Sequence, residues 1–383
     1  MRILFVHNAY QYWGGEDAVV DAEMALLRTH GHEVHLYRRH NDELQRLSPL
    51  AAGMNAFWSK RSAAEVDEAC RRFHPDLVHV HNTFPLVSPS IYWAARRRHV
   101  PVIQTLHNFR LLCPQSSFLR NGALCHDCLG KLPWRAIGRR CYRNSMPQSA
   151  ILGGVLSLHR LIGSYRNRVT LYIALSAFAR DRFIQAGLPA ERLRIKPNFV
   201  EADGQIPESG RSGGLFVGRL TLDKGIASLL LADVLGGGAG IEVIGGGPCE
   251  QAVGQAFGAR YLGFLPSAEI RIKMRAAAFL IVPSIGYEQL PTTILEAFSC
   301  GLPVIASRLG PLIGLVREKI TGLLFTPGDG ADLAKKIAWA HAHPADMLAM
   351  GHAARAEYEA KYTPAINYRQ LTDIYRDALA AEG

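Results

Sequence analysis

The 383 residues are 48% hydrophobic and carry a formal net charge of +10, enough chain for two domains with a core each. No uninterrupted apolar run approaches the ~18 residues of a spanning helix, so an integral membrane protein is not expected. Seven cysteines are an odd number, and the opening MRILFV reads as a strand and not as a charged leader, so neither a disulfide scaffold nor a secretory signal is expected.

Strand-like and helix-like segments alternate from the first residue onward. MRILFV leads into a Gly-rich loop and a helix near 17–30, then HEVHLY forms a second strand. DLVHVH follows an amphipathic stretch at 62–73, and PVIQTLH follows a helix near 88–98. LYIALS precedes a helix at 177–186, and RLRIKPNFV closes the half. The alternation restarts with GGLFVGRL and continues through GIEVIGG, ARYLGF, FLIVPS, PVIAS and GLLF. This pattern predicts α/β architecture with parallel sheets and right-handed crossovers. A polar stretch, EADGQIPESGRSGG (201–214), separates the halves. We expect domains at 1–200 and 201–363, with the amphipathic 364–383 returning to the first. Ligands of such sheets sit at the C-terminal strand ends.

Charge is unevenly distributed. Residues 1–200 carry 27 Lys and Arg against 14 Asp and Glu, a net of +13, whereas 201–383 carry 16 against 19, a net of −3. The stretch KLPWRAIGRRCYR (131–143) interleaves Trp134, Ile137 and Tyr142 with five cations. An anionic membrane surface, a phosphate-bearing acceptor or nucleic acid would suit such a half. A solvated arginine-rich face is the plainer reading.

Chemistry-bearing residues fall at strand ends. Gly14 and Gly15 follow the first strand, where a backbone free of Cβ can approach a phosphate or sugar; an ordinary turn explains them equally well. His107 closes PVIQTLH. His79 and His81 also close a strand, and their alternation predicts one facing the core and one facing outward. Gly218-Arg219 ends another strand, with Lys224 five residues on, a fork and a point charge suited to a diphosphate. Glu288 and Glu296 stand eight residues apart across a Leu-Pro turn into an apolar helix, whose start suits an anion while the carboxylates hold hydroxyls. Two solvated glutamates would give the same spacing. Cys113, Cys125, Cys128 and Cys141 offer thiolates for a tetrahedral zinc, with His126 as a substitute ligand; reduced thiols or a redox pair are the alternatives. No D-x-D, Walker A, G-x-S-x-G or H-E-x-x-H pattern occurs, against NTPase, hydrolase and zinc-protease readings.

Taken in order, WGGED, TLHN, GRLTLDKG, VIGGGPCEQAV, YLGFLPSAEI, PSIGYEQLPTTILEAFSCGLPVIAS and GLLFTPGD resemble the retaining glycosyltransferases of family 4. The resemblance spans nearly the whole chain and implies the GT-B fold, two Rossmann-like domains facing across a cleft. It further implies that Arg219 and Lys224 hold a donor diphosphate next to Gly218. Glu296 would bind the nucleotide ribose and Glu288 the sugar hydroxyls. The backbone of Leu290, Pro291, Thr292 and Thr293 would touch phosphate and sugar. Gly14 and Gly15 would close over the diphosphate, and His107 would stand beside the transferred sugar. Many members have Glu-Gly-Phe-Gly where this chain has Glu288-Gln289-Leu290-Pro291, so a glutamine replaces a glycine at the sugar.

The expected reaction moves a hexose-type sugar from a nucleoside diphosphate to an acceptor hydroxyl with retention. No cofactor is expected for catalysis, and a structural zinc is expected at the cysteines. The acceptor would be a saccharide or a lipid-linked glycan in polysaccharide or glycolipid assembly. The enzyme would be cytoplasmic and peripheral on an anionic membrane, without nucleic acid. A sugar-nucleotide epimerase would need its own cleft carboxylates, and a basic nucleic-acid binder would leave the second half unexplained.

Overall fold

The computed structural model describes every residue except 12, 13, 203, 205, 208, 239, 382 and 383, so Trp13 of WGGED and parts of the 201–214 stretch lie outside the described residues. The chain divides into two compact units. One comprises 1–116, 126–198 and 367–383, and the other comprises 117–125 and 199–366.

In the first unit, β1 (Arg2–Ala9), β2 (Glu33–His40), β3 (Leu77–Asn82) and β4 (Val102–Leu106) belong to one sheet. After a two-residue hairpin, β5 (Leu119–Arg120) and β6 (Ala123–Leu124), the sheet resumes with β7 (Leu171–Ala174) and β8 (Leu193–Ile195). Its order is β2-β1-β3-β4-β7-β8, all parallel. The inner strands are buried along nearly their whole length, polar residues included, because helices cover both faces of such a sheet. Ile3, Phe5, Val20, Leu27, Ile103 and Ile173 form the core. Helix Pro364–Ala380 adds Leu371, Ile374, Tyr375 and Ala378 to that core. Each large apolar side chain so buried contributes roughly 1.5–3 kcal/mol of transfer free energy. Helix Lys60–Phe73 starts where the Ser59 hydroxyl accepts from the Ser62 N–H, and it buries Val66, Cys70 and Phe73 along one stripe.

His79 and His81 correct an expectation. Both are buried, at 0% and 3% exposure, because β3 is an interior strand and its two faces are equally covered. Residues two apart on a strand also share a face, and the two rings lie side by side with centroids 4.3 Å apart, so alternation could not set one inward and one outward.

The second unit holds β9 (Gly214–Val217), β10 (Ile241–Ile244), β11 (Tyr261–Gly263), β12 (Phe279–Val282), β13 (Val304–Ser307) and β14 (Gly322–Phe325). These run parallel in the order β11-β10-β9-β12-β13-β14. Strand order reverses between β9 and β12, which makes the C-terminal ends of these two strands the switch point where ligands of open sheets bind. Phe216, Leu229, Val243, Phe279, Ile281, Ile305 and Phe325 fill the core. The β5–β6 hairpin groups with this unit, and the Tyr287 N–H donates to the Ser117 carbonyl at 2.8 Å.

Candidate functional site

Residues after β9 and β12 converge at the switch point of the second sheet. Gly218 follows β9 and donates its N–H to the Ile244 carbonyl at 3.0 Å. Arg219 is exposed and forms no ion pair with a described residue. A short 3₁₀ turn, Leu222–Lys224, then ends in Gly225 at φ 77°, where a Cβ would stand 1.8 Å from the Pro283 carbonyl oxygen. Only glycine fits both that conformation and that approach. The turn is fastened to the loop after β12, because the Ile285 and Gly286 N–H groups both donate to the Asp223 carbonyl.

This fastening brings Lys224 to Glu288. The ammonium donates to Glu288 Oε2 at 2.5 Å, with the two side chains 23% and 17% exposed. The Ser284 hydroxyl donates to the other carboxylate oxygen. Helix Thr292–Ser299 starts just beyond, with Pro291 at its cap, so the backbone from 290 to 293 is its N-terminal turn. Glu296 is half-buried on that helix; burial raises its carboxyl above 4.5 and the nearby Arg271 charge opposes the rise. Gln289 is 4% exposed, and neither its amide oxygen nor its amide nitrogen has a hydrogen-bond partner among the described residues. The sequence-predicted residues Gly218, Arg219, Lys224, Glu288, Leu290, Pro291, Thr292, Thr293 and Glu296 thus share one unit. Ser284 is a candidate site residue that sequence reading missed; its only signal is a position four residues before Glu288, in a loop with no period.

Gly14, Gly15 and His107 belong to the first unit. Gly14 caps helix Gly15–Thr29, and its N–H donates to Asp17 Oδ2 at 3.1 Å. Asp17 Oδ1 lies 2.8 Å from His7 Nε2. Burial pushes the Asp17 carboxyl up, but the His7 contact and the Gly14 N–H outweigh it and the net shift is down. The glycine loop is therefore held by a buried pair on β1 and the helix. Beside it, the Tyr10 hydroxyl donates to Glu16 Oε2 at 2.9 Å.

His107 follows β4 and lines a cleft with Asn82, Phe84, Asn108, Arg110, Leu111 and Leu152. Burial and the charges of His7 and Lys196 push its pKa down to about 3, so its imidazole is neutral at physiological pH. Its Nε2 lies 2.8 Å from His81 Nδ1.

Cys113, Cys125, Cys128 and Cys141 are each half-buried. Cys125 groups with the second unit and the other three with the first. No helix among the described residues is long and apolar enough to cross a membrane.

Two family models match consecutive parts of the chain: Glycosyltransferase Family 4 over residues 13–203 and Glycosyl transferases group 1 over residues 212–343. Among characterised relatives, the 2-deoxystreptamine glucosyltransferase of Streptomyces kanamyceticus is 29% identical over 321 residues, 79% of this chain and 78% of the relative. The amylovoran biosynthesis glycosyltransferase AmsK of Erwinia amylovora is 27% identical over 227 residues, 53% of this chain and 55% of the relative. Among solved structures, Anabaena Alr3699/HepE in complex with UDP aligns with a TM-score of 0.69 at 19% identity, covering 98% of this chain and all of that one. Sucrose-phosphate synthase from Thermosynechococcus elongatus aligns at 0.73 and 18%, covering 99% of each chain. These structural likenesses concern the fold.

Proposed function

Because this chain belongs to the group 1 glycosyltransferases and has their GT-B fold, we propose that it transfers a sugar from a nucleoside diphosphate sugar to an acceptor hydroxyl, with retention of anomeric configuration. The observation that carries the reading is the cluster of Arg219, Lys224, Ser284 and Glu288 at the β9/β12 switch point, beside the N-terminal turn of helix Thr292–Ser299. Two cations and a helix start supply positive potential where a diphosphate leaves, so the chemistry asks for no bridging metal. Glu288 is held by Ser284 and Lys224 and is thereby oriented to accept hydrogen bonds from sugar hydroxyls. Glu296 serves the ribose. Retention follows if the acceptor attacks from the face the diphosphate leaves, with the departing phosphate oxygen taking the acceptor proton.

UDP-glucose is the first donor to test, since one of the similar structures is described in complex with it. The expected result is release of nucleoside diphosphate on adding donor and acceptor, undiminished by EDTA, with an α-linked product from an α-donor by NMR. A β-linked product would overturn retention. Loss of activity in EDTA with rescue by magnesium or manganese would overturn the metal-free reading.

The proposed acceptor is a saccharide or lipid-linked glycan presented at an anionic membrane. Helices Pro49–Phe57 and Arg135–Gly138 pack on helix Met146–Leu161. Around them stand exposed Leu50, Met54, Leu132, Trp134 and Met146 together with Arg135, Arg140 and Arg143. Exposed apolar and aromatic side chains among cations suit a headgroup layer, at about 1 kcal/mol per cation near anionic lipid. Equal cosedimentation with anionic and neutral liposomes would remove this part of the proposal. A structural zinc at Cys113, Cys125, Cys128 and Cys141 completes it, checked by metal content of protein purified without chelator.

A further inference from the structure

Four ionisable groups of the first unit are buried without entering the chemistry proposed above. Glu23 and Lys196 are 0% exposed and paired, Nζ to Oε1, at 2.5 Å. The second carboxylate oxygen of Glu23 faces His81 Nε2 at 3.7 Å, and neither of these two atoms has a hydrogen-bond partner among the described residues. His81 Nδ1 then meets His107 Nε2 at 2.8 Å, with the two rings stacked at 5.1 Å. His79 sits alongside, its nitrogens each 2.8 Å from a hydroxyl, Tyr375 at Nδ1 and Thr105 at Nε2. A line of side chains thus runs from Lys196 through Glu23 and His81 to the histidine that lines the cleft.

We propose that Glu23, acting through His81, fixes the tautomer of His107 so that His107 presents Nδ1 to the substrate as a hydrogen-bond acceptor. The inference rests on the reading of His107 as the group beside the transferred sugar. Burial drives the pKa of His81 well below the ordinary value and that of His107 to about 3, so each ring carries a single proton. A carboxylate can only accept. At 3.7 Å its contact with His81 is a charge–dipole one and not a full hydrogen bond, yet its sign is fixed. A proton on His81 Nε2 is attracted to Glu23, whereas a lone pair there would be repelled in a region of low dielectric. With its proton on Nε2, His81 offers a lone pair at Nδ1. His107 must then donate from Nε2, and its own lone pair is left on Nδ1. That nitrogen has no partner among the described residues. His107 so held can take a hydrogen bond from a hydroxyl but cannot give a proton as a general acid. Glu23 and His81 are positioning residues.

The ligand-capable atoms of Glu23, His79 and His81 lie within 4.8 Å of one another, close enough for a metal. Against that use, the Lys196 ammonium already sits on the carboxylate, and both nitrogens of His79 are engaged by hydroxyls. The cluster is wired for hydrogen bonding.

The test is the tautomer itself, read on the full-length protein labelled with ¹⁵N-histidine by long-range ¹H–¹⁵N correlation at neutral pH, with His107→Gln identifying the His107 signals. Wild-type His107 is expected as the Nε2–H form. In Glu23→Gln the amide carbonyl retains Lys196 and the amide N–H₂ faces His81, which reverses both rings. His107 is then expected as the Nδ1–H form, with kcat reduced at least tenfold and KM for the donor within about threefold. Nδ1–H in the wild type, or an unchanged tautomer in Glu23→Gln, overturns the relay. The wild-type tautomer is read without Glu23→Gln, so a Glu23→Gln protein that fails to fold leaves the inference open to refutation. A reversed tautomer with undiminished turnover overturns the assignment of His107 to the reacting sugar, and with it the substrate-facing role proposed for Nδ1.

Discussion

Lys224 and Glu288 form one unit of function, since neither is fully solvated and each partly neutralises the other at 2.5 Å. Removing Glu288 leaves Lys224 charged and still able to meet a diphosphate, while sugar hydroxyls lose an acceptor. Glu288→Ala is therefore expected to lower kcat with nucleotide affinity retained, and Glu296→Ala mainly to weaken nucleotide binding. A lost charged hydrogen bond costs roughly 1.5–3 kcal/mol, about tenfold to a hundredfold. Steady-state kinetics with UDP inhibition separates the two, and wild-type values in both variants would reduce this segment to a turn and a helix. Gln289, next to Glu288, is a buried polar side chain. A buried amide with both polar atoms unpaired costs about 1–3 kcal/mol per group unless a ligand or water completes it. Gln289→Met removes that cost at similar volume. It should raise the melting temperature while lowering kcat/KM for the donor at least tenfold. A stabilised variant with unchanged kcat/KM would show that the amide does not serve the sugar.

At the scale of elements, the proposed donor site depends on how tightly the turn after β9 meets the loop after β12. Gly225 is the closest point, and Gly225→Ala adds both a strained left-handed residue and a clash with Pro283. A loss of at least about 2 kcal/mol is expected in urea unfolding; a change below about 0.5 kcal/mol would mean the contact is slack. The strands were legible because continuous apolar runs in a covered parallel sheet leave little choice of partner face. Helix Met146–Leu161 was not, because Gly153 and Gly154 dilute its period. Gly154 has a packing reason, since a Cβ there would lie 2.7 Å from the Phe57 ring. The β5–β6 hairpin was also silent, being two residues per strand in a stretch that reads as loop.

For the whole molecule, the buried histidines set an acid limit. His79 and His81 are held neutral by burial, with nearby positive charge adding to the effect, and their pKa values lie well below the 6.5 of an exposed histidine. Above pH 6.5 both states are neutral and nothing is lost. Below it the unfolded chain binds protons that the folded chain refuses, so stability falls with falling pH. The slope approaches about 2.7 kcal/mol per pH unit for two such groups. Denaturant midpoints measured from pH 7.5 to 5 should therefore decline below 6.5, and a flat profile over that range would show that the two histidines take up protons without unfolding.

The alternation of apolar runs and helical segments is enough, without any tertiary information, to specify two parallel sheets, because strand period and crossover handedness are local properties. The motifs at strand ends bring the residues proposed for the donor together for the same reason, since a residue just past an inner strand has one place to go. The relay behind His107 was decided only by the tertiary structure. His79 meets Tyr375 across 296 positions and Lys196 meets Glu23 across 173. No periodicity encodes which distant polar groups share a buried space; that follows from helix Pro364–Ala380 lying against β3 and β4. The expectation for β3 failed for one histidine because residues two apart on a strand share a face, and only packing reports what covers that face.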